Sequence, residues 1–131
     1  MASILRVNTL TDASSNNSTA MSTINQGTAK AWVHVPPDGA SISDSFNVSS
    51  HDDDGTGDGG VNISSSMSNN DYAISAMASD AGANNVITTI ELTQNTEATG
   101  SFDYEIAFNN TGTDRTNHDA NRMTTIHGDL A

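Results

Sequence analysis

The chain has 131 residues and a formal net charge of −12, from 16 acids against Arg6, Lys30, Arg115 and Arg122. Ser, Thr and Asn supply 48 residues, whereas Leu, Ile, Val and Phe supply only 22, below the ~20 % share that separates ordinary globular chains from disordered ones. This balance excludes a transmembrane helix, since no apolar run approaches ~18 residues, and excludes nucleic-acid binding, since an acidic chain repels phosphate. Cysteine is absent, so neither disulfides nor thiolate metal sites arise.

The first 26 residues stand apart. Ile4, Leu5, Val7 and Leu10 are the apolar groups of ASILRVNTLTD, and DASSNNSTAMSTINQ after them is polar and low in complexity. The opening residues lack the apolar core of about 7–15 residues that a secretory signal needs, so export by that route is not expected. We read residues 1–26 as an attachment arm and 27–131 as a β domain. In the arm, Ile4, Leu5, Val7 and Leu10 fill apolar pockets of a partner or add a strand to its edge. The polar stretch to Gln26 acts as a tether whose 15 residues reach at most ~50 Å.

Beyond the arm the apolar residues keep a two-residue period. Phe102, Tyr104, Ile106 and Phe108 alternate with Asp103, Glu105 and Ala107, the pattern of a half-buried strand with one wet face. The same phase runs through Ile42, Phe46 and Val48, through Val61, Ile63 and Met67, and through Val86, Ile90 and Leu92. No segment carries a helical stripe. The pattern predicts strands at about 30–36, 41–49, 60–67, 71–78, 85–93, 101–109 and 122–127. Turns are expected at Pro36–Gly39, at 52–60, at 80–82 and through 109–121. Seven short strands predict an all-β fold, a small antiparallel sandwich or barrel with an extended N-terminal arm. Thirty large apolar residues are a thin core for seven strands, which predicts an obligate homo-oligomer.

Several strings then become recognisable. GTAKAWV (27–33), SFNVSS (45–50), DDGTGD (53–58), VNIS (61–64) and NNDYAI (69–74) follow one another in order. Together with SILRVNTLTDASSNNS they resemble a module of bacteriophage tail-fibre and related virion appendage proteins. The resemblance spans roughly residues 3–78. It departs from the module at Gly59, where an aromatic is usual, and at the PPDG turn of residues 36–39. It implies a virion structural protein made in the host cytoplasm, a homotrimer that joins other virion proteins and contacts host surface polysaccharide. A capsid decoration protein that stabilises the shell is the alternative.

Chemistry is sparse. No nucleophile elbow, zincin, phosphate loop or dinucleotide motif occurs, so no catalytic residue and no cofactor are expected. The acidic run at 51–58 fails as an EF-hand, because Ile63 stands where the bidentate glutamate belongs. A looser cation loop would use Asp52, Asp54 and Asp58, against the plainer reading of a hairpin whose aspartates bond backbone amides. Trp32 is either a sugar platform or an anchor of the sheet or a subunit interface, and Lys30 could pair with a neighbouring subunit's carboxylate. The loop NNTGTDRTNHDAN offers Asn109, Asn110, Thr111, Asp114, Arg115, Asn117 and His118 to saccharide hydroxyls, or else serves as passive surface.

Overall fold

The computed structural model describes residues 4–39, 41–79, 87–93, 95–109 and 115–131. In chain order the elements are β1 (Thr9–Thr11), β2 (Ser18–Ala20), α1 (Met21–Gly27), β3 (Ala31–Val35), β4 (Asp44–Phe46) and β5 (Val48–Gly55). Then come β6 (Asp58–Ile63), β7 (Ala73–Ser79), β8 (Ile87–Leu92), β9 (Ser101–Asn109), β10 (Arg115–Asn117) and β11 (Asn121–His127).

Two antiparallel sheets pack face to face. One runs β4-β3-β11-β7. The other is built on β9, which pairs β8 along one edge and β6 followed by β10 along the other, with β5 outside β6. The alternation read in the sequence decides which side chains lie between them. Phe102, Tyr104, Ile106, Val61 and Ile63 from the second sheet meet Ala31, Val33, Val35 and Ile126 from the first, and Met67 and Ala120 complete the core. The sheets do not close on themselves, so the architecture is the sandwich rather than the barrel.

One long side of the sandwich is closed by the chain itself. The run from Asp44 to Gly55 leaves the first sheet as β4 and enters the second as β5, and Asn47 makes the corner with φ 55°. Its Nδ2 donates to the carbonyls of Lys30 (3.0 Å) and Ser65 (3.2 Å), and its Oδ1 accepts the Ser65 N–H at 2.8 Å. Corners of this kind let one strand serve both sheets. On the opposite long side β7 and β8 each pair along a single edge among the described residues.

The hairpin between β5 and β6 turns through Gly55 and Gly57. Gly57 has φ 73°, and a Cβ there would lie 2.3 Å from the Ile106 carbonyl oxygen, so only glycine fits. Its carbonyl accepts the Ile106 N–H (2.6 Å) and its N–H reaches Asp119 Oδ1 (2.8 Å).

Three expectations are corrected. Of the turn expected at 52–60, residues 52–55 end β5 and 58–60 begin β6, because Gly59 and Gly60 opposite Asp53 and Asp52 allow close backbone pairing. The segment 109–121 is not structureless throughout, since β10 pairs Arg115, Thr116 and Asn117 with Asn109, Phe108 and Ala107. The arm is not a plain tether either. Asp12 nucleates a turn, accepting Ser14 Oγ (2.9 Å), the Asn16 N–H (3.1 Å) and Asn17 Nδ2 (2.7 Å), and β1 and β2 pair across it. Those donors hold the Asp12 carboxyl below its ordinary pKa. The one-turn-and-more helix α1 follows, where no helix was expected.

Candidate attachment and recognition surfaces

The arm presents its apolar groups to solvent. Ile4 and Leu5 are 75 % and 80 % exposed, and Val7 and Leu10 are also exposed. The hairpin is tied to α1, since the Met21 N–H donates to the Asn8 carbonyl at 2.9 Å. α1 is tied to the sandwich through Lys30, only 5 % exposed, whose ammonium donates to the Asn25 carbonyl and, at 2.9 Å, to Asn25 Oδ1. Lys30 thus grips its own chain's helix instead of reaching a neighbour's carboxylate.

The recognition loop is divided. Asn110, Thr111 and Asp114 lie outside the described residues, and Asn109 ends β9. Arg115 is already engaged, bridging Glu91 and Glu105 at 2.7 Å each. Thr116 and Asn117 are exposed on β10, and His118 turns inward with its ring edge-on to Phe108. Among the predicted sugar contacts that are described, Asn117 is exposed on β10.

Asp52, Asp54 and Asp58 are not drawn to one point. Asp52 accepts Asn62 Nδ2 at 2.7 Å. Burial, then the carboxylates of Glu105 and Asp54, push the Asp58 pKa up. Among the described residues no group of three His, Asp or Glu side chains stands ready to hold a metal ion.

A buried polar cluster escaped the sequence reading. Arg122, 2 % exposed, lies with its guanidinium 5.4 Å over the Tyr104 ring and beside Gly39 in the PPDG turn. His51 Nδ1 meets the Gly39 carbonyl oxygen at 3.1 Å and its Nε2 meets the Tyr104 hydroxyl. Burial, then the charge of Arg122, lowers the His51 pKa, so the ring is neutral at pH 7. A carbonyl at Nδ1 makes that nitrogen the donor, which leaves Nε2 to accept the Tyr104 O–H. Burial holds the Tyr104 proton in place by raising its pKa. This neutral relay fastens the PPDG turn to β5 and β9, with Arg122 of β11 beside it. The signal for it was Arg122 itself, which shares the inward phase of Thr124 and Ile126.

The two outer faces differ in charge. On the second sheet Asp52, Asp58, Glu91, Asp103 and Glu105 share one face with the single guanidinium of Arg115. On the first sheet, Asp44 alone among the twelve outward positions carries a formal charge. Phe46 stands there directly opposite Trp32, and Met77 and Met123 share the next row with His34. Trp32 is half-buried on this face, so it does not anchor the core.

No protein-family model matches this chain, and no curated protein and no solved structure matches it either.

Proposed function

We propose that the chain is a structural protein of a bacteriophage virion, a subunit of a tail fibre or short appendage that joins the particle by its arm. The observation that carries this reading is the arm: four apolar side chains held out in solvent at and before a hairpin that is tied to α1, which Lys30 in turn grips through Asn25. Exposed apolar groups on an ordered projection mark a binding segment. The module strings support the particle assignment. The charge-poor face with Trp32, Phe46 and Met77 supports self-association, here as a homotrimer, because depleted charge with aromatic and Met enrichment is the composition of interface cores. The β10 end of the sandwich then faces outward, where amide and hydroxyl groups suit host polysaccharide. Catalysis plays no part in this reading.

The test is incorporation. Phage assembled with a chain lacking residues 2–20 lose this protein while the isolated chain stays folded. Incorporation at wild-type copy number refutes the attachment arm. The same arm geometry serves a capsid decoration protein, and the copy number of the intact chain decides between them: a few to a few dozen for an appendage, hundreds for the shell.

A further inference from the structure

The outer face of the first sheet sets two thioethers and an imidazole side by side. Register places Met123 of β11 directly opposite His34 of β3 on one side and Met77 of β7 on the other, so the three form one row across the sheet. Met77 is 67 % exposed, and His34 and Met123 are half-buried. Directly opposed Cβ atoms stand about 4.5–5.5 Å apart. The outer two strands of the row are two strand spacings apart, roughly 10 Å, so one point above Met123 is within reach of all three side chains. Packing does not account for the row. Met67 fills the core, whereas Met77 stands in solvent, where strand preference favours β-branched residues and a thioether makes at best a weak hydrogen bond.

We infer that His34, Met77 and Met123 form a binding site for a soft monovalent cation, copper(I). Thioethers select soft ions and imidazole suits copper, so copper(I) is the ion that both donor types share where thiolate is absent. The chain has no cysteine. Calcium needs six to eight oxygen ligands, which this row does not offer. Three neutral donors leave the charge of the cation to be offset nearby. Asp44, the single formal charge on this face, stands directly opposite His34 on β4. Trp32 precedes His34 by two residues and shares its face of β3, and an indole ring attracts cations. A bound cation links β3, β11 and β7 through their side chains, in addition to the backbone ladder. The row belongs to one chain, so the inference depends neither on the arm nor on copies meeting at this face.

Silver(I) shares the donor preference of copper(I) and keeps its oxidation state, which makes it the first probe. Titrated into the full-length chain in chloride-free buffer, it is expected to bind one ion per chain by native mass spectrometry. It is also expected to quench the fluorescence of Trp32, the single tryptophan. Met77→Leu combined with Met123→Leu keeps side-chain volume and is expected to weaken binding at least tenfold with an unchanged circular dichroism spectrum. His34→Gln is expected to do the same. His127→Gln, opposite Ala73 in another row of the same face, is expected to bind as wild type does. Copper(I) offered from a coloured chelate is expected to transfer to the chain with the same ranking of variants. Absence of silver binding by wild type overturns the inference, and so does binding undiminished in the double leucine variant. Zinc(II) bound more tightly than silver(I), or silver binding without copper(I) transfer, overturns it as well.

Discussion

At the scale of the residue, the polar cluster behind the PPDG turn sets a pH dependence. His51 is neutral in the folded protein because burial and the Arg122 charge oppose its protonation. Its folded pKa therefore lies below the unfolded value of 6.5. The unfolded chain takes up a proton first as pH falls, so the cluster's stabilisation is complete above about 6.5 and is lost below it. Melting followed by circular dichroism from pH 8 to pH 5 is expected to show a falling Tm below that point, and His51→Gln is expected to flatten that limb. Parallel losses in both proteins would assign the effect elsewhere. Tyr104 contributes no limb of its own in this range, since burial moves its proton loss further upward from an already alkaline value.

At the scale of the element, the corner at Asn47 carries more than its size suggests. Its positive φ, two side-chain donations and one acceptance hold β4, β5, the start of β3 and the loop after β6 together. Asn47→Ala removes three bonds and forces alanine into the left-handed region, which predicts a loss of about 2–4 kcal/mol in urea unfolding. Asn47→Gly keeps the conformation and loses the bonds alone, so it is expected to lie between wild type and alanine. If glycine and alanine cost the same, backbone strain is absent and the bonds account for everything.

The corner also marks what sequence could convey. β3, β9 and β11 were legible because each alternates between core and water over five or more residues, as Phe102, Tyr104 and Ile106 do against Asp103 and Glu105. β1, β2 and β10 are three residues each and exposed throughout, so no burial pattern announces them. α1 buries no residue fully, and one lysine supplies side-chain hydrogen bonds that tie it to the sandwich. Asn47 sits inside SFNVSS and Lys30 inside GTAKAWV, and each is a joint of the fold. No periodicity argument reaches such joints, because one side chain bonding distant backbone leaves no repeat. The arm's apolar groups were legible in the composition alone.

At the scale of the whole molecule, the question is where the arm ends. A boundary at residue 27 follows from the composition and from the first module string, but Lys30 ties α1 to the sandwich through the Asn25 carbonyl and Oδ1. Met21 and Ile24, both half-buried, add apolar cover. If α1 is a part of the β domain, deleting residues 2–20 leaves its stability unchanged. Deleting 2–26 returns the ammonium to water and strips that cover. Hydrogen bonds to charged groups are worth about 1.5–3 kcal/mol, of which solvation of the freed ammonium recovers a share, so the expected loss is roughly 1–2 kcal/mol, on the order of 5 °C in Tm. Lys30→Met in the full chain separates the two contributions, since it keeps the cover and removes the donor. A shorter deletion that melts with the full chain, beside a longer one that melts several degrees lower, places the hinge between β2 and α1. Equal melting of both deletions would move it to Gly27 and make α1 the last turn of the arm.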